Sequence, residues 1–224
     1  MTFQQLGDNA ITVRLAGPAD AESAARVAAL ARDLLDRRMD GVIEIVPVYD
    51  SLTIFYDAVR ADADRVIEAM SPLIAQLNAA SPRFTEREAI EIPVRYGGEF
   101  GPDLDEVARR AGLSPREVIE LHCSVTYTVG AVGFMPGFAY LLGMPARLHT
   151  PRRDSPRTRV PAGSVAIGGA QTGVYPSESP GGWNVIGRTA VAMFDPTATP
   201  PARLCVGDRV RFKPTATRGR ARCG

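Results

Sequence analysis

PAGSVAIGGAQTGVYPSESPGGWNVIGRT, residues 161–189, decides how most of the chain folds. Its short apolar pieces, 165–167 and 185–186, are cut by glycine or proline every few residues, which suits short strands and leaves no room for a helix of ordinary length. Such glycine density outside a repeat points to bends and bulges in a small β-barrel, or to backbone amides open to a ligand. GGAQTG (168–173) lacks the lysine of a phosphate-cradling P-loop, and no strand–glycine–helix unit surrounds it as a dinucleotide fingerprint requires. The segment also carries Gln171, Thr172, Tyr175 and the single tryptophan, Trp183.

The same broken pattern runs outward from about residue 125, so 97–213 reads as a β-barrel domain with two short helices at its start. The second of these helices opens with Ser114-Pro115-Arg116-Glu117, a capping box with proline at the first helical position. His122 falls near its C-terminal end, where the helix dipole favours a cation. YGGEFGPDL (96–104) is a glycine-rich break and the natural hinge.

Residues 1–96 alternate strands and helices. Residues 10–15 alternate as a half-buried strand, and 20–38 carry Val27, Leu30, Ala31, Leu34 and Leu35 on one helical stripe that Gly41 should end. Residues 42–48 and 51–56 form a hairpin about Tyr49-Asp50. A second helix presents Val66, Ile67, Met70, Leu73, Ile74 and Leu77, and Pro72 should kink or split it. Residues 88–96 close the set as a strand. The order β-α-β-β-α-β predicts a ferredoxin-like split βαβ sandwich, making the whole chain α+β. The tail, 214–224, is basic, polar and glycine-bearing, and is expected to be disordered.

Composition excludes several functions. The formal net charge is +1, so no global field draws the protein to nucleic acid or a membrane. No apolar run spans a bilayer and no secretion signal opens the sequence, so a cytoplasmic location is expected. Three cysteines (Cys123, Cys205, Cys223) form no CxxC pair. Lys213 is the only lysine and lies in a strand-like context, which suits neither a Walker A loop nor a Schiff-base enzyme. Two histidines, His122 and His149, are too few for a multi-histidine metal centre, and no metal site is expected.

Two further segments could carry chemistry. In GFMPGFAYLLG (133–143), glycine lets the backbone approach a ligand while Phe134, Phe138 and Tyr140 offer flat apolar walls. A β-turn carrying core aromatics accounts for the same spacing. LHTPRRDSPRTRVP (148–161) gathers His149, Arg152, Arg153, Arg157 and Arg159 on a proline-stiffened loop. Arginine forks suit carboxylate or phosphate, and a solvated loop contacting an acidic patch of the same chain is the competing reading. Nucleophilic catalysis finds little support. Cys123 and His122 are helix neighbours pointing about a hundred degrees apart, and Ser164 lacks a GxSxG elbow.

GFMPGFAYL, LHTPRR, VPAGSVAIGGAQTGVYP, SPGGWNVIGRT and the closing FDP, in that order, resemble the B subunit of bacterial 5-oxoprolinase. That family has also been labelled allophanate hydrolase subunit 1 and includes the kinase inhibitor KipI. The resemblance covers about residues 90 to 215. It implies an N-terminal α/β domain, a C-terminal cyclophilin-like β-barrel, and partner subunits C and A. It further implies ATP-dependent cleavage of 5-oxoproline to glutamate, with ATP (and Mg²⁺) as co-substrate of the complex and no metal or organic cofactor on this chain. On this implication Arg152 and Arg153 act catalytically, with His122 or His149 for proton transfer. Phe134, Pro136, Gly137, Phe138, Tyr140, Arg157, Gln171, Thr172, Tyr175 and Trp183 shape the substrate pocket. The same resemblance admits a KipI-like inhibitor of a histidine kinase, or a carboxyltransferase-like module for urea or allophanate. TYTVGAVGF (126–134) departs from the family pattern, since Gly130 and Ala131 replace bulkier residues and should thin the packing near the pocket.

Overall fold

The computed structural model describes residues 2–15, 17–79 and 88–215. The protein is mixed α+β and contains a closed seven-stranded barrel.

The N-terminal layer is a four-stranded sheet covered by two helices. Its strands are β1 (Thr2–Leu6), β2 (Ala10–Arg14), β3 (Val42–Val48) and β4 (Ser51–Tyr56), in the order β1-β2-β4-β3, all antiparallel. Helix α1 (Ala21–Asp36) starts where the Asp20 side chain accepts the Ser23 N–H at 2.9 Å. Val27, Leu30, Ala31 and Leu34 are buried as the helical stripe requires, but Leu35 is 53% exposed and belongs to the outer face. The helix ends several residues before Gly41. Helix α2 (Ala63–Ala79) runs unbroken through Pro72. Val66, Met70 and Ile74 pack into the layer's core on one side, while Pro72 lies on the exposed side, where the lost backbone bond costs least.

The strand expected to close this layer belongs elsewhere. β5 (Ile90–Tyr96) pairs in parallel with β13 (Arg209–Pro214) and antiparallel with β12 (Asn184–Arg188), inside the barrel. Its alternation places Ile92 and Val94 in the barrel core. The vacated sheet position is taken by β1, a hairpin partner of β2, so the four-stranded ferredoxin-like set expected from element order is not formed by those four strands. Pro214, expected in the tail, ends β13, and residues 216–224 lie outside the described residues.

After β5 come α3 (Leu104–Ala111) and α4 (Pro115–Cys123), the latter with the expected capping box. The remaining strands are β6 (Tyr127–Val132), β7 (Ala139–Leu142), β8 (Arg157–Val160), β9 (Ser164–Gly168), β10 (Gln171–Val174) and β11 (Ser179–Gly181). The barrel closes in the order β10-β7-β6-β13-β5-β12-β9, with β8 and β11 paired as a ribbon outside it. Val129, Leu141, Val165, Ile167, Ile186 and Phe212 fill its interior.

Layer and barrel meet at the β3–β4 turn. Tyr49, in the left-handed region at φ 50°, donates its backbone N–H to the Gly130 carbonyl at 2.7 Å. A Cβ at Gly130 would sit 2.6 Å from Leu142 Cδ1 and 2.9 Å from Tyr49 Cδ1. The small residue at 130 therefore makes room for Tyr49, and the packing is filled rather than thinned.

The loop from Gly97 to Asp103 lies across β12. Gly97 N–H donates to the Ile186 carbonyl at 3.1 Å and Asp103 N–H to that of Val185 at 2.9 Å. Between them Gly101 is pressed against the strand: a Cβ there would fall 2.0 Å from the Ile186 oxygen. Gly101→Ala is therefore expected to lower unfolding stability by about 2–3 kcal/mol. Gly133→Ala, whose Cβ would meet nothing within 4 Å, should stay within about 0.5 kcal/mol of wild type. Urea denaturation of the two variants checks both.

Candidate functional site

The strands of the barrel have two faces, and the candidate site stands on the outer one. Along β9, Val165 and Ile167 point into the barrel core, while Ala166 joins a second cluster with Phe138, Val160, Tyr175, Trp183 and Val185. Glycine makes that outer surface flat. A Cβ at Gly168 would fall 2.5 Å from the Trp183 indole, and one at Gly173 would fall 3.2 Å from Phe138 and 3.4 Å from Trp183. The indole and the phenyl ring thus lie directly on bare backbone.

Phe138 is the hub. It meets Trp183 at 5.5 Å, Tyr175 at 5.3 Å, Tyr140 at 4.9 Å and Phe134 at 5.6 Å between ring centroids, all edge-to-face. It is delivered by a turn in which its N–H donates to Met135 C=O at 3.1 Å, with Pro136 second and Gly137 third at φ 79°. Pro136 and Gly137 therefore build a type II turn and line no part of the pocket. Phe134 sits at the mouth, 63% exposed, its backbone at φ 68°. The strained conformation holds a large apolar ring in solvent over the cavity.

The cavity has a volume of about 310 Å³. Phe134, Phe138, Tyr140, Tyr175 and Trp183 form its walls, Pro156 and 180–182 the opposite side, and Arg152 and Arg153 the basic rim. Burial raises the Tyr140 hydroxyl pKa, Tyr49 raises it further, and Arg152 partly opposes both. Burial likewise raises that of Tyr175, opposed by the Trp183 backbone N–H and by Arg152. Both phenols are protonated near neutral pH, beside a guanidinium close enough to influence each.

The arginines divide sharply. Asp103, 4% exposed, accepts from Arg157 Nη1 and Nη2, both at 2.7 Å, from Arg153 Nη1 at 2.9 Å, and from Val185 N–H at 2.7 Å. Arg157 and Arg153 are thus held by a carboxylate of the same chain, which corrects the expectation of three forks open to a ligand. The loop is also pinned by backbone: Arg153 N–H donates to Gly182 C=O at 2.8 Å, and Asn184 Nδ2 to Pro151 C=O at 2.8 Å. Arg159 pairs with Glu178 at 2.6 Å. Arg152, exposed at the rim, has no carboxylate partner among the described residues. Sequence reasoning misses Asp103 and Tyr49 as site residues. The only signal for Asp103 is its place in the glycine-rich 96–104 segment, and for Tyr49 its place at a hairpin tip.

Besides Pro136, Gly137 and Arg157, four expected site residues lie outside the cavity. His122 is completely buried in the barrel, with Nδ1 2.8 Å from the Tyr96 hydroxyl, Nε2 3.0 Å from the Thr172 hydroxyl, and its ring stacked on Phe212 at 4.6 Å. Desolvation pushes its pKa down to about 3, so it is a neutral core histidine and not the dipole-stabilised cation of the sequence reading. Thr172 is its partner inside the wall and also donates to Ala166 C=O. Gln171 faces the N-terminal layer, donating from Nε2 to the Tyr49 hydroxyl at 3.0 Å. His149 lies 3.3 Å from the Met144 carbonyl through Nε2 and does not line the cavity. Among the described residues, the lining contains no carboxylate, histidine, cysteine or lysine. Such a cavity can hold a small anion with an apolar body, and its titratable side chains are the two phenols and the rim arginines. Among the described residues no helix is long and apolar enough to cross a membrane.

Comparison with known proteins gives a consistent result. The family model for the carboxyltransferase domain, subdomain C and D, matches residues 1–204. The chain is similar to the 5-oxoprolinase B subunit of Bacillus subtilis (strain 168), 43% identical over 218 residues, covering 94% of this chain and 91% of the relative. It is similar also to the 5-oxoprolinase B subunit of Escherichia coli O157:H7, 46% identical over 209 residues, covering 93% and 94%. Among solved structures, TTHA0988 matches with a TM-score of 0.82 and 40% identity, covering 94% of this chain but only 41% of that one. The Kluyveromyces lactis urea carboxylase shares the fold, with a TM-score of 0.70 and 20% identity over 96% of this chain and 22% of that one.

Two measurements test the geometry. Asp103→Asn, which removes the charge facing two guanidiniums, should cost on the order of 3 kcal/mol in urea unfolding, whereas Arg152→Ala should cost under about 0.5 kcal/mol. The second concerns His122, whose folded pKa of about 3 lies below the ordinary 6.5. The unfolded chain therefore binds the extra proton, and the contribution of the neutral ring is complete above about pH 6.5 and is lost as pH falls towards 3. Stability measured across that window should fall with pH in wild type and fall less steeply in His122→Gln.

Proposed function

The chain belongs to the 5-oxoprolinase B-subunit family of carboxyltransferase subdomain C and D proteins, and on that premise we propose that it is the B subunit of an ATP-dependent 5-oxoprolinase, acting with subunits C and A. The observation that supports a substrate site on this chain is the aromatic cavity rimmed by Arg152. The substrate is a small five-membered lactam bearing one carboxylate. Its carboxylate takes the guanidinium of Arg152, which no internal carboxylate occupies, and its ring lies against Trp183 and Phe138. Tyr140 and Tyr175 supply hydroxyl donors. Arg153 and Arg157 act at one remove, holding the rim through Asp103.

The chemistry fits a shared site. A lactam carbonyl is a poor electrophile, and transfer of the ATP γ-phosphoryl group to its oxygen creates a leaving group. Attack by water at that carbon and rupture of the C–N bond, with a proton delivered to the leaving nitrogen, give γ-glutamyl phosphate and ADP, and a second water hydrolyses the acyl phosphate to glutamate and phosphate. The cavity is near the small end of ligand sites and suits the lactam rather than a whole nucleotide. Proton transfer comes from outside the cavity, with the partner subunits as its source, and ATP with Mg²⁺ serves as co-substrate of the assembled complex.

The test is reconstitution. Mixed with its C and A partners, the protein should support 5-oxoproline-dependent release of ADP and glutamate, and alone it should not. In that mixture Arg152→Ala should reduce kcat/KM for 5-oxoproline by about 10- to 100-fold, the loss expected for one charge-assisted contact. Absence of 5-oxoproline-dependent turnover in the complete mixture would refute the reading.

A further inference from the structure

A second group of arginines lies away from the cavity, on the outer face of β5 and β12. Arg95 and Arg188 are directly opposite one another in the antiparallel pair. Both guanidiniums lie over one ring: the Arg95 Cζ is 4.0 Å and the Arg188 Cζ 5.8 Å from the Phe100 centroid. Like charges in directly opposed cross-strand positions repel, while the cation–π contacts with Phe100 are favourable. Among the described residues neither arginine has an ion-pair partner, and nor does nearby Glu99. Asp103, further along the same loop, is already occupied by Arg153, Arg157 and the Val185 N–H.

Two orphaned polar atoms mark the same row. Arg188 is paired on its other side with Ser164 of β9. Arg188 Nε and Ser164 Oγ are both shielded from water without a hydrogen-bond partner, and Ser164 is fully buried. Buried donors in a folded protein are nearly always satisfied, so two in adjacent cross-strand positions beside an uncompensated charge pair signal unmet acceptor demand. Ser164 Oγ and Arg188 Nε are closed to solvent, so the donors open to a ligand are the remaining guanidinium N–H groups of exposed Arg95 and part-exposed Arg188.

We propose that Arg95 and Arg188, seated on Phe100, form an oxyanion-binding site that takes a phosphate or a carboxylate. None of the three residues lines the aromatic cavity, so the site is additional to the substrate site proposed above and does not depend on that reading. Its occupant relieves the repulsion between the two arginines, and binding to the folded protein therefore raises stability.

The experiment is thermal unfolding of the full chain in sodium phosphate and, separately, in sodium succinate, each against sodium chloride at matched ionic strength. Wild type should show a saturable rise in Tm of about 3–6 °C with one of these anions. Arg95→Gln and Arg188→Gln should each remove the rise, with a Tm in chloride no lower than wild type for at least one of them, because a like-charge pair has been relieved. Arg152→Ala should retain it. A rise with phosphate identifies a phosphate or phosphoryl source, and a rise with succinate alone identifies a carboxylate. No saturable rise with either anion overturns the proposal. So does a rise that survives both glutamine variants, or one that disappears in Arg152→Ala and thereby belongs to the cavity.

Discussion

The buried carboxylate of Asp103 is the constraint around which the site is arranged. It takes four hydrogen bonds from three donor groups: two guanidiniums of the 152–157 loop and the backbone of β12. A carboxylate this far from water is tolerable only when its charge and lone pairs are met, and here both are. The consequence for function is selective. Two arginines that would otherwise be open to a ligand become structural, and Arg152 is left as the rim cation. The same carboxylate ties the proline-rich loop to the 97–103 loop, which follows a barrel strand and is pinned to β12 rather than acting as the expected hinge, so the basic rim and the bare glycine face of the barrel hold a fixed relation.

Glycine determines where the cavity is. Among the described residues the barrel interior is filled by aliphatic side chains and by His122, Tyr127 and Phe212. The outer face is stripped at Gly168 and Gly173, and the aromatic side chains settle on exposed backbone instead. A substitution at either glycine would lift Trp183 or Phe138 and close the cavity before touching any ligand. The segment's contribution to the cavity is therefore mostly shape, and the charge at its rim comes from a neighbouring loop.

Much of this is legible in residues 161–189 and their surroundings. Breaks every few residues foretell the barrel, and the Ser114–Glu117 box and the Tyr49–Asp50 turn are in place. Of the cavity, Phe134, Phe138, Tyr140, Arg152, Arg153, Tyr175 and Trp183 come together as the sequence suggests, though Arg153 does so as a rim residue held by Asp103. His122 departs for a specific reason: position at a helix C-terminus says nothing of burial, and burial outweighs the dipole when the ring enters an apolar barrel. Element order likewise misassigns β5, because alternation shows that a strand has one buried face and not which core buries it.

Local pattern therefore determined the elements, the barrel class and the family to which the chain belongs, since these follow from short-range periodicity, turn chemistry and long ordered motifs. Tertiary structure alone decided which strand joins which sheet, which histidine is buried, and which arginine is free. Those outcomes depend on pairings between residues fifty or more positions apart, such as Arg153 with Asp103 and His122 with Thr172, and no local pattern encodes a contact at that separation.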